Sequence, residues 1–80
     1  MNSTDARDVV LQALADVAPE LDPGELDETA SLRDGAALDS MDFLAFVAAV
    51  AAAIRSDIPE SDYAALDGVA KATDYVAGRR

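Results

Sequence analysis

Eighty residues with 16 acidic and 6 basic side chains, a net charge of −10 and no cysteine or histidine define one small domain, residues 1–80. No disulfide or thiolate-metal site can brace it, and without the usual general base this chain is not expected to be an enzyme. Its acidity repels nucleic acid and anionic membrane surfaces and favours partners with basic patches, although simple solubility explains it equally well.

The composition favours helices: 18 alanines stand beside 4 glycines and 3 prolines, and β-branched residues form no alternating runs. The N-terminus lacks a basic patch followed by an apolar run, and the uncharged stretch Phe43 to Ile54 is too short for a membrane span. A cytoplasmic protein with no membrane span is expected. The first helix is predicted from Thr4 to Val17, capped by Ser3 or Thr4, supported by Asp5 and Asp8, and stopped by Pro19. Val10, Leu14 and Val17 mark its inward stripe.

A long connection then runs from Pro19 to Leu38, with Pro23-Gly24 as a turn signal. Leu21, Leu26 and Leu32 are expected to pin it to the core, because a structureless loop of this length is unusual in a compact domain. The second helix should start at Asp39-Ser40 and reach about Arg55, with Asp39 as N-cap and Asp42 as the acid three residues on. Phe43, Phe46, Val47, Val50 and Ile54 share one face and are the strongest core candidates. Ile58-Pro59 closes this region. A short helix is predicted around Ser61 to Leu66, then a last one from Gly68 to Ala77, capped by Asp67 and terminated by Gly78. Val69, Ala72, Thr73 and Val76 are its inward residues, and Arg79 and Arg80 suit its negative end. The expected fold is all-α: a small antiparallel bundle of three longer helices and one short one, with the long loop between helices one and two.

The informative run is Leu38-Asp39-Ser40-Met41-Asp42-Phe43-Leu44. A serine in the first turn of a helix keeps its hydroxyl outside the hydrogen-bond ladder, and the unpaired amides and helix dipole there suit a phosphate. Asp39 and Asp42 oppose that charge, yet could hold a divalent ion used by a modifying enzyme. Locally, Asp-Ser before an apolar run is also an ordinary helix cap.

The order of landmarks along the chain goes further. Ser31-Leu32, Leu38-Asp39-Ser40-Met41-Asp42, Asp57-Ile58-Pro59-Glu60 and Leu66-Asp67-Gly68-Val69, followed by Asp74-Tyr75-Val76, make the chain resemble the acyl carrier protein family over nearly its whole length. Met41 stands where the family has leucine, a volume-conserving exchange. The resemblance implies 4'-phosphopantetheine attached covalently to Ser40 by a phosphopantetheinyl transferase, from coenzyme A with magnesium. It implies an acyl or aminoacyl thioester on that arm, loaded by an activating ligase and consumed by downstream acyl-processing enzymes, as in fatty acid or polyketide biosynthesis. Asp39, Met41, Asp42, Leu44 and Ile58 would then serve partner or arm recognition, with no resident metal. A protein without cysteine needs no chemistry of its own in that role, since the thiol comes with the arm. A monomer suits a shuttle that must release each partner quickly.

Two features depart from the family. Glycine is expected three residues before the serine, where this chain has Ala37 and keeps a glycine at Gly35. The stretch from Phe43 to Ile54 carries no charge, whereas many fatty-acid carriers have glutamates there. The helix propensity of alanine explains this as well as partners that read the helix by apolar contact do. The departure argues against a housekeeping fatty-acid role and for a specialised acyl pathway such as secondary metabolism. The paired glycines of many peptidyl carriers are also missing. Phe43, Phe46, Tyr63 and Tyr75 read first as core aromatics; Tyr63 could instead shelter an acyl chain between helices two and three. The competing class is an unmodified acidic interaction domain in which Ser40 only caps a helix.

Overall fold

The computed structural model describes residues 2–33 and 38–78. Among these residues there is no strand, and three α-helices carry the fold: α1 (Ser3–Val17), α2 (Ser40–Ile54) and α3 (Val69–Ala77). Two 3-10 helices, Pro23–Glu25 and Glu60–Leu66, fall in the connections. The result is the expected small all-α bundle, in which α1 packs against both α2 and α3. No helix is long and apolar enough to cross a membrane among the described residues.

α1 begins one residue earlier than the sequence suggests. Asn2, not Ser3 or Thr4, is its N-cap, with Oδ1 accepting the Asp5 N–H at 2.8 Å. Its buried face is Ala6, Val10, Ala13 and Leu14; Val17 is only half-buried. The chain leaves the helix at Ala18, whose N–H still bonds to Leu14 O at 2.8 Å, and Pro19 prevents continuation.

As far as Arg33, the long connection is ordered by local side-chain turns. Asp22 Oδ1 accepts the Gly24 N–H at 2.9 Å, and Asp27 Oδ1 accepts both the N–H (2.9 Å) and the hydroxyl (2.7 Å) of Thr29. Leu32 is fully buried, and Leu21 and Leu26 pack half-buried against the core, as their placement in a polar stretch implies. Three long-range ties complete the anchoring. Arg7 pairs with Glu28 through two nitrogens, the Ala70 N–H donates to Glu28 O at 2.9 Å, and Asp67 holds Ser31 and Arg33.

The core gathers Val10, Leu14, Phe46, Val50, Leu66, Val69 and Val76, all almost without exposure. Each such side chain contributes roughly 1.5–3 kcal/mol on burial, most of it offset by chain entropy. Ile54 lies at the margin, half-buried. The sole buried polar residue described, Thr73, returns its hydroxyl to Val69 O at 2.8 Å.

Two helix ends differ from expectation. Asp67 does not cap α3: the N-cap is Gly68, with no side-chain cap bond, because the Asp67 carboxylate is turned to the loop. Gly78 follows α3 with φ −80, so its N–H reaches Asp74 O at 3.1 Å without the left-handed turn typical of a terminating glycine. The one left-handed helix end described is that of α2. Arg55 (φ 55) and Ser56 send their N–H groups back to Ala52 O and Ala51 O, the paired bonds of a Schellman motif.

Candidate functional site

Ser40 is the first residue of α2 and is exposed. The cap that precedes it is Asp39, which is extended (φ −81, ψ −179) and accepts the Asp42 N–H on Oδ1 at 2.8 Å. Its backbone carbonyl meanwhile accepts the Phe43 N–H at 2.9 Å. Capping therefore rests on Asp39, and among the described residues none hydrogen-bonds the Ser40 hydroxyl. The serine stands at the positive end of a 15-residue helix, with its nucleophilic oxygen unengaged by any of the described residues.

The next turn exposes apolar surface. Met41 is 80% and Leu44 52% exposed, the two exposed large apolar side chains among the described residues. Asp42 is half-buried between them, while Phe43 turns inward. Thus Asp39, Ser40, Met41, Asp42 and Leu44 share the first two turns of α2 or its cap. Ile58 does not join them at the surface: it is part of the buried core and lines a separate groove further along α2. Gly35 and Ala37, where the chain departs from the family pattern, lie outside the described residues, as do Arg79 and Arg80.

Two concavities flank the exposed face of α2. One of about 230 Å³ is lined by Arg33, Ser40, Phe43, Leu44, Glu60 and Tyr63. The other, a wide groove of about 760 Å³, runs between α2 and the segment after it, with Leu44, Val47, Ala51, Arg55, Ile58 and Tyr63 among its walls. Leu44 and Tyr63 border both.

The sequence alone did not single out Arg33 or the environment that holds it. Its guanidinium carbon lies 4.6 Å from the centre of the Phe43 ring, a cation-π contact. Its N–H donates to Asp67 Oδ1 at 3.0 Å, and its Nη2 stands 3.4 Å from Asp67 Oδ2. The same Oδ2 accepts the Ser31 hydroxyl at 2.7 Å. Burial opposes charge on Asp67 most strongly, but the bonds from Ser31 and from the Arg33 backbone and guanidinium together outweigh it. They hold the carboxyl below the usual carboxylate range. Tyr75 donates its hydroxyl to Asp62 Oδ2 at 2.8 Å, fastening the Glu60–Leu66 helix to α3. No cluster of three or more metal-ligating side chains occurs among the described residues, and one Asp39 oxygen is committed to the cap.

A phosphate-linked group fits at Ser40. The hydroxyl is exposed and has no partner among the described residues, a cavity opens beside it, and the helix terminus and Arg33 set positive charge against Asp39, Asp42 and Glu60. A family model described as a phosphopantetheine attachment site matches residues 8–76. No curated protein and no solved structure matches the chain significantly.

Proposed function

The chain belongs to the phosphopantetheine attachment-site family, and from that premise we propose a discrete carrier protein with its 4'-phosphopantetheine arm on Ser40. Members of this family carry the arm covalently. The arm supplies a thiol that holds an acyl or aminoacyl group as a thioester. The single observation that carries the assignment to Ser40 is its exposed hydroxyl at the start of α2, released from capping by Asp39.

The chain's own part in this function is presentation. α2 fixes the attachment oxygen at one end of a rigid element, while Met41 and Leu44 offer a small apolar contact that each partner enzyme can close over. Tethering raises the effective concentration of the cargo at each partner. The partners implied are a phosphopantetheinyl transferase, an acyl- or aminoacyl-activating ligase and downstream acyl-processing enzymes. Beyond Asp42 the helix bears no charge until Arg55, so recognition there is apolar and steric. That absence of acids on α2 supports a specialised acyl pathway, such as secondary metabolism, over housekeeping fatty-acid synthesis.

The test is direct. Wild type and Ser40→Ala are incubated with coenzyme A, magnesium and a promiscuous transferase, and their intact masses are measured. Wild type should gain one phosphopantetheine and Ser40→Ala none. An unmodified wild type, or equal gain on both, would remove the carrier reading in favour of an acidic interaction domain.

A further inference from the structure

We propose that Arg33 is the binding residue for the phosphodiester of the arm on Ser40, taking it in exchange for its side-chain contact with Asp67. The inference rests on Ser40 carrying the arm. A phosphodiester at that position adds a negative charge beside Asp39, Asp42 and Glu60, and like charges at such range destabilise one another. Among the described residues, Arg33 is the only cation lining the cavity that Ser40 borders. Phe43, over whose ring the guanidinium lies at 4.6 Å, is three residues beyond Ser40 and so one helical turn away. A planar guanidinium fork matches two phosphate oxygens, which a point charge does not.

The way Arg33 is held suits an exchange. Its backbone is firmly placed, since the N–H bonds to Asp67 Oδ1 at 3.0 Å. Its side chain is loosely placed: 46% exposed, it stacks on Phe43 and otherwise makes a 3.4 Å contact to a carboxylate oxygen that already accepts the Ser31 hydroxyl at 2.7 Å. When the guanidinium leaves, Asp67 keeps two better donors and the loop keeps its anchor. If Arg33 served only to stack on Phe43 and brace Asp67, modification of Ser40 would leave it unchanged.

Intact mass first establishes whether wild type, Arg33→Gln and Arg33→Lys have gained the arm. The 31P resonance of the diester and the 1H–15N resonance of Arg33 Nε are then recorded at low and high salt. We expect the wild-type 31P shift to differ from that of Arg33→Gln at low salt, with Arg33→Lys in between and the difference closing as salt rises. Arg33 Nε–H should also move between unmodified and modified wild type. Identical 31P shifts in wild type and Arg33→Gln, with an unmoved Nε–H on protein that has gained the arm, would overturn the inference alone. Absence of any mass gain on wild type would overturn the carrier reading and this inference with it. Should circular dichroism show Arg33→Gln unfolded, the wild-type Nε–H comparison decides by itself.

Discussion

Asp39 and Ser40 are adjacent, chemically alike as helix-capping residues, and separated in role by one position. Asp39 supplies the oxygen that satisfies the Asp42 N–H, and Ser40 supplies none. Asp39→Ala should therefore lower stability by about 1 kcal/mol, the usual loss for a helix cap. Ser40→Ala should stay within about 0.5 kcal/mol of wild type, as exposed substitutions do. Urea denaturation of the two variants checks this, and equal losses would return the capping role to Ser40. Much at this scale was readable beforehand, because a cap acts on amides within three residues of itself. Arg33 and Asp67 were not readable. Asp67 meets Ser31 and Arg33 across 36 and 34 residues of chain, and no local pattern announces such a meeting.

At the scale of elements, the inward faces of α2 and α3 follow from the spacing of Phe43, Phe46, Val47 and Val50, and of Val69, Ala72, Thr73 and Val76. α1 was less legible. Its buried face includes Ala6 and Ala13, and in a chain with 18 alanines nothing marks which of them turn inward. The ends of elements were least legible. α2 ends at about Arg55 as expected, but it does so through a left-handed conformation at Arg55 itself, which sequence reading assigns to glycine or asparagine. Conversely Gly68, expected as the first residue of the last helix, sits at φ 155 where the chain turns into α3, and a Cβ there would come 3.1 Å from Ala30 O. Gly68→Ala should cost roughly 1–3 kcal/mol through the strained conformation. Thermal unfolding should then show the midpoint falling by several degrees, given about 4–8 °C per kcal/mol for a domain of this size. An unchanged midpoint would mean that the turn adapts.

For the molecule as a whole, two electrostatic effects separate by condition. With a net charge of −10, self-repulsion opposes the folded state near neutrality, so added salt should raise the unfolding midpoint at pH 7. Acid acts on particular carboxylates instead. Asp67, Glu28 (held down mainly by its hydrogen bond from Arg7) and Asp27 (by that from the Thr29 hydroxyl) all have folded-state pKa values below their ordinary ones. Their contribution is complete above the unfolded value of about 4 and is lost as pH falls through the lowered folded value. Asp67→Asn should therefore show a shallower loss of stability than wild type between about pH 4 and pH 2, read from urea midpoints. Parallel curves would show that Asp67 carries none of the acid sensitivity. Exposed Arg7 and Glu28 should contribute little to either effect.

The placement of α1 between α2 and α3 also orders how the molecule comes apart. The loop is hydrogen-bonded to α1 through Arg7, to α3 through Ala70 and to Asp67 just before α3, whereas it meets α2 through the stacking of Arg33 on Phe43. A fluctuation that lifts α2 would break its packing on α1, its share of the core and the Arg33–Phe43 contact, but would leave the hydrogen bonds that tie the loop to α1 and α3 in place. Amide hydrogen exchange should therefore be faster in the helix that bears Ser40 than in α1 and α3, and equal protection in all three would show that α2 opens only with the whole molecule.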